Sequence, residues 1–271
     1  MQDARSVQEL TALLVEPSPT QAKIIQQQLM RQGVLHVDIA ASGGEALAAM
    51  RRAGPSVVLS ALYLPDMSGT ELVHAMRADP ALEGLPFILI SSETRPQVLD
   101  PVKQSGVCGI LPKPFSETQL GAALRATLDL LARDDSLEAA GVELEGLRVL
   151  LVDDSTLARK HVRRMLENMG IDSFVEAQNG REAAELLNQN LVDFVVTDYN
   201  MPEMDGRAFI EHIREHSWQR SVPVLMITSE SDQSRLAAVQ DLGVVGVCDK
   251  PFEPVMLRRL LGKLLAEQRT A

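Results

Sequence analysis

Short apolar runs alternate with longer amphipathic stretches along most of this chain. In the second half, Arg148–Val152 is an apolar run that ends in acids, the pattern of a buried parallel strand. Ser155 offers a helix cap, and Ala158, Val162, Met165, Leu166 and Met169 follow the helical period until Gly170 stops it. Further strands are expected at Ser173–Ala177, Val192–Thr197, Val222–Ile227 and Val244–Cys248. Helices are expected over Arg181–Leu187, Ala208–His216, Ser234–Leu242 and Val255–Ala266, the last with Leu257, Leu260, Leu261 and Leu264 on one stripe. The first half reads the same way, with strands near Thr11–Val15, Val34–Ala40, Ser56–Ser60, Pro86–Ile90 and Val107–Leu111.

The halves are copies at one constant offset of 137 residues. Leu13-Leu14-Val15 returns as Leu150-Leu151-Val152, Ser91 as Thr228, and Lys113-Pro114-Phe115 as Lys250-Pro251-Phe252. A repeat of this length predicts two domains, 1–131 and 147–271, each large enough for one core. Five βα units per copy imply a doubly wound α/β parallel sheet with helices on both faces. Residues 132–146 are either an acidic linker or an extension of the preceding helix.

Charge narrows the function classes. The formal net charge is −11, of which about −4 falls in residues 132–146. An acidic chain is a poor non-specific ligand for nucleic acid, whose binding rests on phosphate neutralisation. No apolar run reaches membrane-spanning length and the N-terminus does not read as a signal peptide, so a cytoplasmic location is expected. Cys108 and Cys248 do not correspond under the repeat and form no metal or redox spacing, which suggests buried or half-buried strand thiols in a reducing compartment. Trp218, in a polar stretch, reads as a surface aromatic.

In a doubly wound sheet, chemistry gathers at the carboxyl ends of the strands. In the second copy Asp153 and Asp154 follow the first strand, Asp198 the third, Thr228 the fourth and Lys250 the fifth. Clustered carboxylates repel and need a cation, and all-oxygen ligands favour Mg2+. A nucleophile, a metal and a fixed positive charge are what phosphoryl transfer uses.

Leu150-Leu151-Val152-Asp153-Asp154-Ser155, Asp198-Tyr199-Asn200-Met201-Pro202-Glu203-Met204-Asp205-Gly206, Thr228-Ser229 and Lys250-Pro251-Phe252 resemble the receiver domain of bacterial response regulators, and chemotaxis regulators in particular. The resemblance spans both copies and implies two flavodoxin-like (βα)5 domains in tandem. It implies Asp198 as phosphoryl acceptor, and Mg2+ held by Asp153, Asp154, Asp198 and the Asn200 backbone carbonyl. Thr228 would bond the phosphoryl group, Lys250 would pair with it, and the Lys250–Pro251 bond would be cis. Asn200 and Glu230 resemble a pair found in fast-hydrolysing regulators. One departure is Val247, with Ile110 in the first copy, where the family has Tyr or Phe.

The first copy has Glu16 and Pro17 at the positions of Asp153 and Asp154, Ala61 at that of Asp198 and Tyr63 at that of Asn200, but keeps Ser91 and Lys113. It reads as a degenerate receiver, either drifted or retained as an interaction platform. The helix after the second copy's first strand is basic, with Arg159, Lys160 and Arg163. That is either a solvated face or, as the resemblance implies, the docking side for a histidine kinase or phosphotransfer protein.

The expected function is therefore a phosphorelay response regulator acting through protein contact, catalytic only in its own phosphorylation and dephosphorylation. A non-phosphorylated adaptor and the input module of a larger regulator are the alternatives, and homodimerisation stays open. An Asp-nucleophile phosphatase is disfavoured because Asn200 stands where that class needs an acid. No nucleic-acid or membrane partner is expected.

Overall fold

The computed structural model describes residues 7–131, 144, 146–230, 233–251 and 254–268. The chain divides into two compact units, Met1–Ala132 and Arg133–Ala271. In the first unit, β1 (Thr11–Val15), α1 (Pro19–Arg31), β2 (His36–Ala40), α2 (Gly43–Ala53) and β3 (Val57–Ala61) come first. They are followed by α3 (Gly69–Ala78), β4 (Phe87–Ser91), α4 (Pro96–Lys103), β5 (Gly109–Pro112) and α5 (Glu117–Leu131). The second unit repeats the order with β6 (Arg148–Val152), α6 (Thr156–Asn168), β7 (Ser173–Ala177), α7 (Gly180–Gln189) and β8 (Phe194–Thr197). It ends with α8 (Gly206–His216), β9 (Val224–Thr228), α9 (Gln233–Gln240), β10 (Gly246–Asp249) and α10 (Pro254–Gln268).

The described strands form two five-stranded parallel sheets of the same order, β2-β1-β3-β4-β5 and β7-β6-β8-β9-β10. This is the doubly wound flavodoxin-like arrangement expected from the sequence. The central strands β3, β4, β8 and β9 are buried along their whole length, which is why they read as unbroken apolar runs. Successive side chains of β1 enter opposite layers: Leu13 packs with Met50, Leu72 and Phe87, and Leu14 with Ile25, Leu29 and Leu124. Pairing of β6 with both β7 and β8 means that strand order reverses there, which places the crevice at the carboxyl ends of β6 and β8.

Several strands begin later than the apolar runs suggested. Val34 is fully buried, but its N–H bonds the Leu29 carbonyl and so closes the end of α1. Val192 donates its N–H to Gln219 Oε1 at 3.1 Å, and Val222 donates to the Gln219 carbonyl. Burial without a strand partner for the N–H left these residues outside the ladder. Ser155 caps α6 by accepting from the Ala158 N–H at 3.2 Å, and Gly170, at φ 102°, stands where the helix ends. Leu257 and Leu261 of α10 are fully buried, whereas the Leu264 side chain, Phe252 and most of the 132–146 segment lie outside the described residues. Trp218 is exposed. No described helix is long and apolar enough to cross a membrane.

Candidate functional site

At the carboxyl edge of the second sheet, Asp153 is held at both carboxylate oxygens. Oδ1 accepts the Ser155 N–H at 2.9 Å as the chain turns into α6, and Oδ2 meets Lys250 Nζ at 2.5 Å. The same Nζ lies 3.2 Å from Asp198 Oδ2. Asp198 Oδ1 accepts the N–H of Tyr199 at 2.8 Å, while the Asp198 N–H continues the ladder to the Val152 carbonyl. The strand ends thus aim Asp153, Asp198 and Lys250 at one point, and all are 5% exposed or less. The Lys250–Pro251 bond is cis.

Thr228, at the end of β9, is fully buried, and its Oγ1 accepts the Glu230 N–H at 3.0 Å, which leaves its O–H as a donor. Asp154 is exposed at the rim, as is Asn200. Carboxylate oxygens of Asp153, Asp154 and Asp198 lie within 4.8 Å of one another. Three acids with hard oxygen donors, one of them open to solvent, suit a divalent cation such as Mg2+. Burial pushes the Asp153 carboxyl up to about 6; Lys250 opposes that shift and Asp198 adds to it.

The structure corrects the sequence reading at Arg159. Read from sequence as part of an exposed basic face, either solvated or partner-facing, it is 7% exposed. Its guanidinium turns inward to the Asp153 backbone carbonyl, Thr156 Oγ1 and Glu176 Oε2. Lys160 is exposed and Arg163 half-exposed, so the outer face of α6 is basic without Arg159. The signal was in the spacing: position 159 is three residues before Val162 and seven before Leu166, on the buried side of the helix.

Val247 packs against the core rather than standing free to swing. Beside Asp198 there is an aromatic contact that the sequence reading missed. The Arg235 guanidinium of α9 lies 5.1 Å from the centre of the buried Tyr199 ring and pairs with Glu230.

The equivalent edge of the first unit has another chemistry. Lys113 Nζ is 2.8 Å from Glu16 Oε2 and donates to Gln21 Oε1 at 2.7 Å. Ala61 is buried where Asp198 stands, and Pro17 offers no carboxylate. Ser91 is buried and accepts the Glu93 N–H at 3.0 Å. Tyr63, in the place of Asn200, donates its hydroxyl to Glu93 Oε2 at 3.0 Å. Hydrogen bonds from Arg95, with help from Tyr63, hold the Glu93 carboxyl well below the usual carboxylate range. The Lys113–Pro114 bond is also cis.

The response regulator receiver domain model matches residues 12–125 and again 149–261. The chemotaxis protein CheY-3 of Vibrio cholerae serotype O1 is 35% identical over 120 residues, 44% of this chain and 92% of that protein. Among solved structures, the chemotaxis response regulator CheY4 of Vibrio cholerae is 33% identical, covering 44% of this chain and 98% of that one, at a TM-score of 0.41. The receiver domain of a signal transduction histidine kinase from Syntrophus aciditrophicus is 30% identical, covering 45% and 92%, at a TM-score of 0.42. With the same sheet order in both units and the domain model matched twice, the chain belongs to the response regulator receiver family and carries that domain in tandem.

Proposed function

We propose that the second unit accepts a phosphoryl group on Asp198 from a phosphohistidine of a histidine kinase or phosphotransfer protein, and that the chain then signals through protein contact. The observation that carries this reading is the placement of Lys250 Nζ between the carboxylates of Asp153 and Asp198. An oxygen of Asp198 attacks phosphorus, an O–P bond forms, and the P–N bond breaks with its electron pair going to the donor imidazole. Lys250 balances charge beside the nucleophile and the Thr228 hydroxyl donates to a phosphoryl oxygen. Asp153, Asp154, Asp198 and the Asn200 carbonyl would hold Mg2+, which supplies charge neutralisation for the transferred group.

The chain acts here on itself and on no external substrate, in the cytoplasm with its phosphodonor. Residues 147–271 are the accepting receiver, 132–146 the connector or helical extension, and 1–131 a receiver without a nucleophile that serves as a regulatory platform. The exposed basic face of α6 at Lys160 and Arg163 supports docking of an acidic surface on the donor.

Acetyl phosphate with Mg2+, followed by intact-mass measurement, tests this. The wild type should gain a single phosphoryl group and Asp198→Asn none. An unmodified wild type would favour an adaptor in which neither copy is phosphorylated, and a labelled Asp198→Asn would put the acceptor on another residue.

A further inference from the structure

A chain of charged side chains runs outward from the acid cluster of the second unit. Arg159 Nη1 donates to the Asp153 carbonyl, Nη2 to Thr156 Oγ1 at 3.3 Å and Nε to Glu176 Oε2 at 3.3 Å. The other oxygen of Glu176 accepts from Arg163 Nη1 at 2.9 Å, and Arg163 Nε donates to Glu167 Oε1 at 2.8 Å. Arg159 and Asp198 line one small cavity together with Val162 and Ile227. At the repeat offset of 137, the first unit has Ala22 for Arg159, Ile39 for Glu176, Gln26 for Arg163 and Met30 for Glu167. The unit whose acid cluster is dismantled has lost all four charges together, and its Ile39 and Met30 stand exposed.

A buried guanidinium is costly unless paired and hydrogen-bonded, so the position of Arg159 is set by its acceptors. Its planar fork in turn fixes where those acceptors lie. Asp153 is thereby gripped at its carbonyl by Arg159, at Oδ1 by the Ser155 N–H and at Oδ2 by Lys250. Only the first of these grips holds the Asp153 peptide group that leads into Asp154. We propose that Arg159, steadied by Glu176, is a positioning residue for the divalent cation. It orients the Asp153–Asp154 segment so that both carboxylates face one ion, without touching the ion or the phosphoryl group. This rests on the Mg2+ site proposed above.

Field and position predict opposite signs, which makes the role testable. If Arg159 acted only through its charge, removing that charge would lessen repulsion and tighten Mg2+ binding. If it positions the ligands, its loss weakens binding, by about tenfold for a group that orients a ligand. The experiment is calorimetric titration of the full chain with MgCl2, without phosphodonor, alongside thermal melts of each variant. Arg159→Gln should bind about tenfold more weakly, and Glu176→Gln should also weaken. Arg159→Lys should recover part of the loss, and Lys160→Gln, an exposed charge on the same helix, should not weaken binding. Arg159→Gln binding as tightly as wild type, or more tightly, overturns the proposal, as does equal weakening by Lys160→Gln. If Arg159→Gln does not fold, Arg159→Lys and the half-exposed Glu176→Gln decide the matter: wild-type affinity in both overturns it. A wild type that binds no Mg2+, or binds it as well after Asp198→Asn, removes the cation site itself, a different failure from a wild type that binds and a variant that does not lose affinity.

Discussion

Burial pushes the Asp153 carboxyl to about 6, and two pH effects follow from that position. An unfolded aspartate titrates at ~3.9, so between about pH 4 and 6 this carboxyl holds more of its proton in the metal-free folded state than in the unfolded one. The contribution of Asp153 to the stability of the metal-free second unit should therefore fall as pH rises through that window, as melts of wild type and Asp153→Asn at closely spaced pH values would show. The proton and a cation compete for the same carboxylate, so Mg2+ affinity should drop as pH is lowered from 7 to 5. About tenfold is expected at one unit below the folded pKa, read by titration against a pH-independent ionic strength. Asp153, Asp154, Asp198, Thr228 and Lys250 could be picked out from sequence because each lies within two residues of the end of an apolar strand run. Glu176 could not, since an acid on an edge strand looks like any solvated side chain until Arg159 is seen turning inward to meet it.

At the scale of elements, the loop from β8 into α8 is drawn tight against the strand end that carries Asp198. The Gly206 N–H bonds the Tyr199 carbonyl at 2.8 Å, and a Cβ at Gly206 would collide with the Asp198 backbone carbonyl. The obstacle is backbone and cannot step aside. Gly206→Ala should cost about 1–3 kcal/mol in denaturant unfolding and displace Asp198 enough to reduce phosphoryl uptake. Gly246→Ala in β10 is the contrast, because its Cβ would meet the end of the Leu260 side chain at 2.7 Å, a group that can rotate. It should be the milder change by the same measurement. The alternation of strands and helices and the start of α6 were legible in advance, since Ser155 caps the helix that follows; Ser18, Ser42 and Asn179 cap α1, α2 and α7 in the same way. The starts of β1, β6 and β7 were legible too, but those of β2, β8 and β9 were not, because Val34, Val192 and Val222 are as buried as ladder residues while their N–H groups bond elsewhere.

Across the whole molecule, one scaffold occurs twice with two different strand-end chemistries. Beryllofluoride or acetyl phosphate should therefore load one site per chain, countable by intact mass or fluorine resonance. Ala61→Asp should leave that count at one, because Glu16 and Pro17 do not rebuild the acid pair and Lys113 is already held by Glu16 and Gln21. A second equivalent in Ala61→Asp would show that the nucleophile was the only thing the first unit lacked. The two edges can also be compared as ionic solids. Glu16 and Lys113 make a complete one-to-one salt, neutral as it stands. Asp153, Asp154 and Asp198 against Lys250 leave two negative charges over, which one divalent cation would neutralise. A phosphoryl group on Asp198 would bring further negative charge to an edge already in excess, so the chemistry proposed for the second unit should depend on cation concentration in a way the first unit's stability should not.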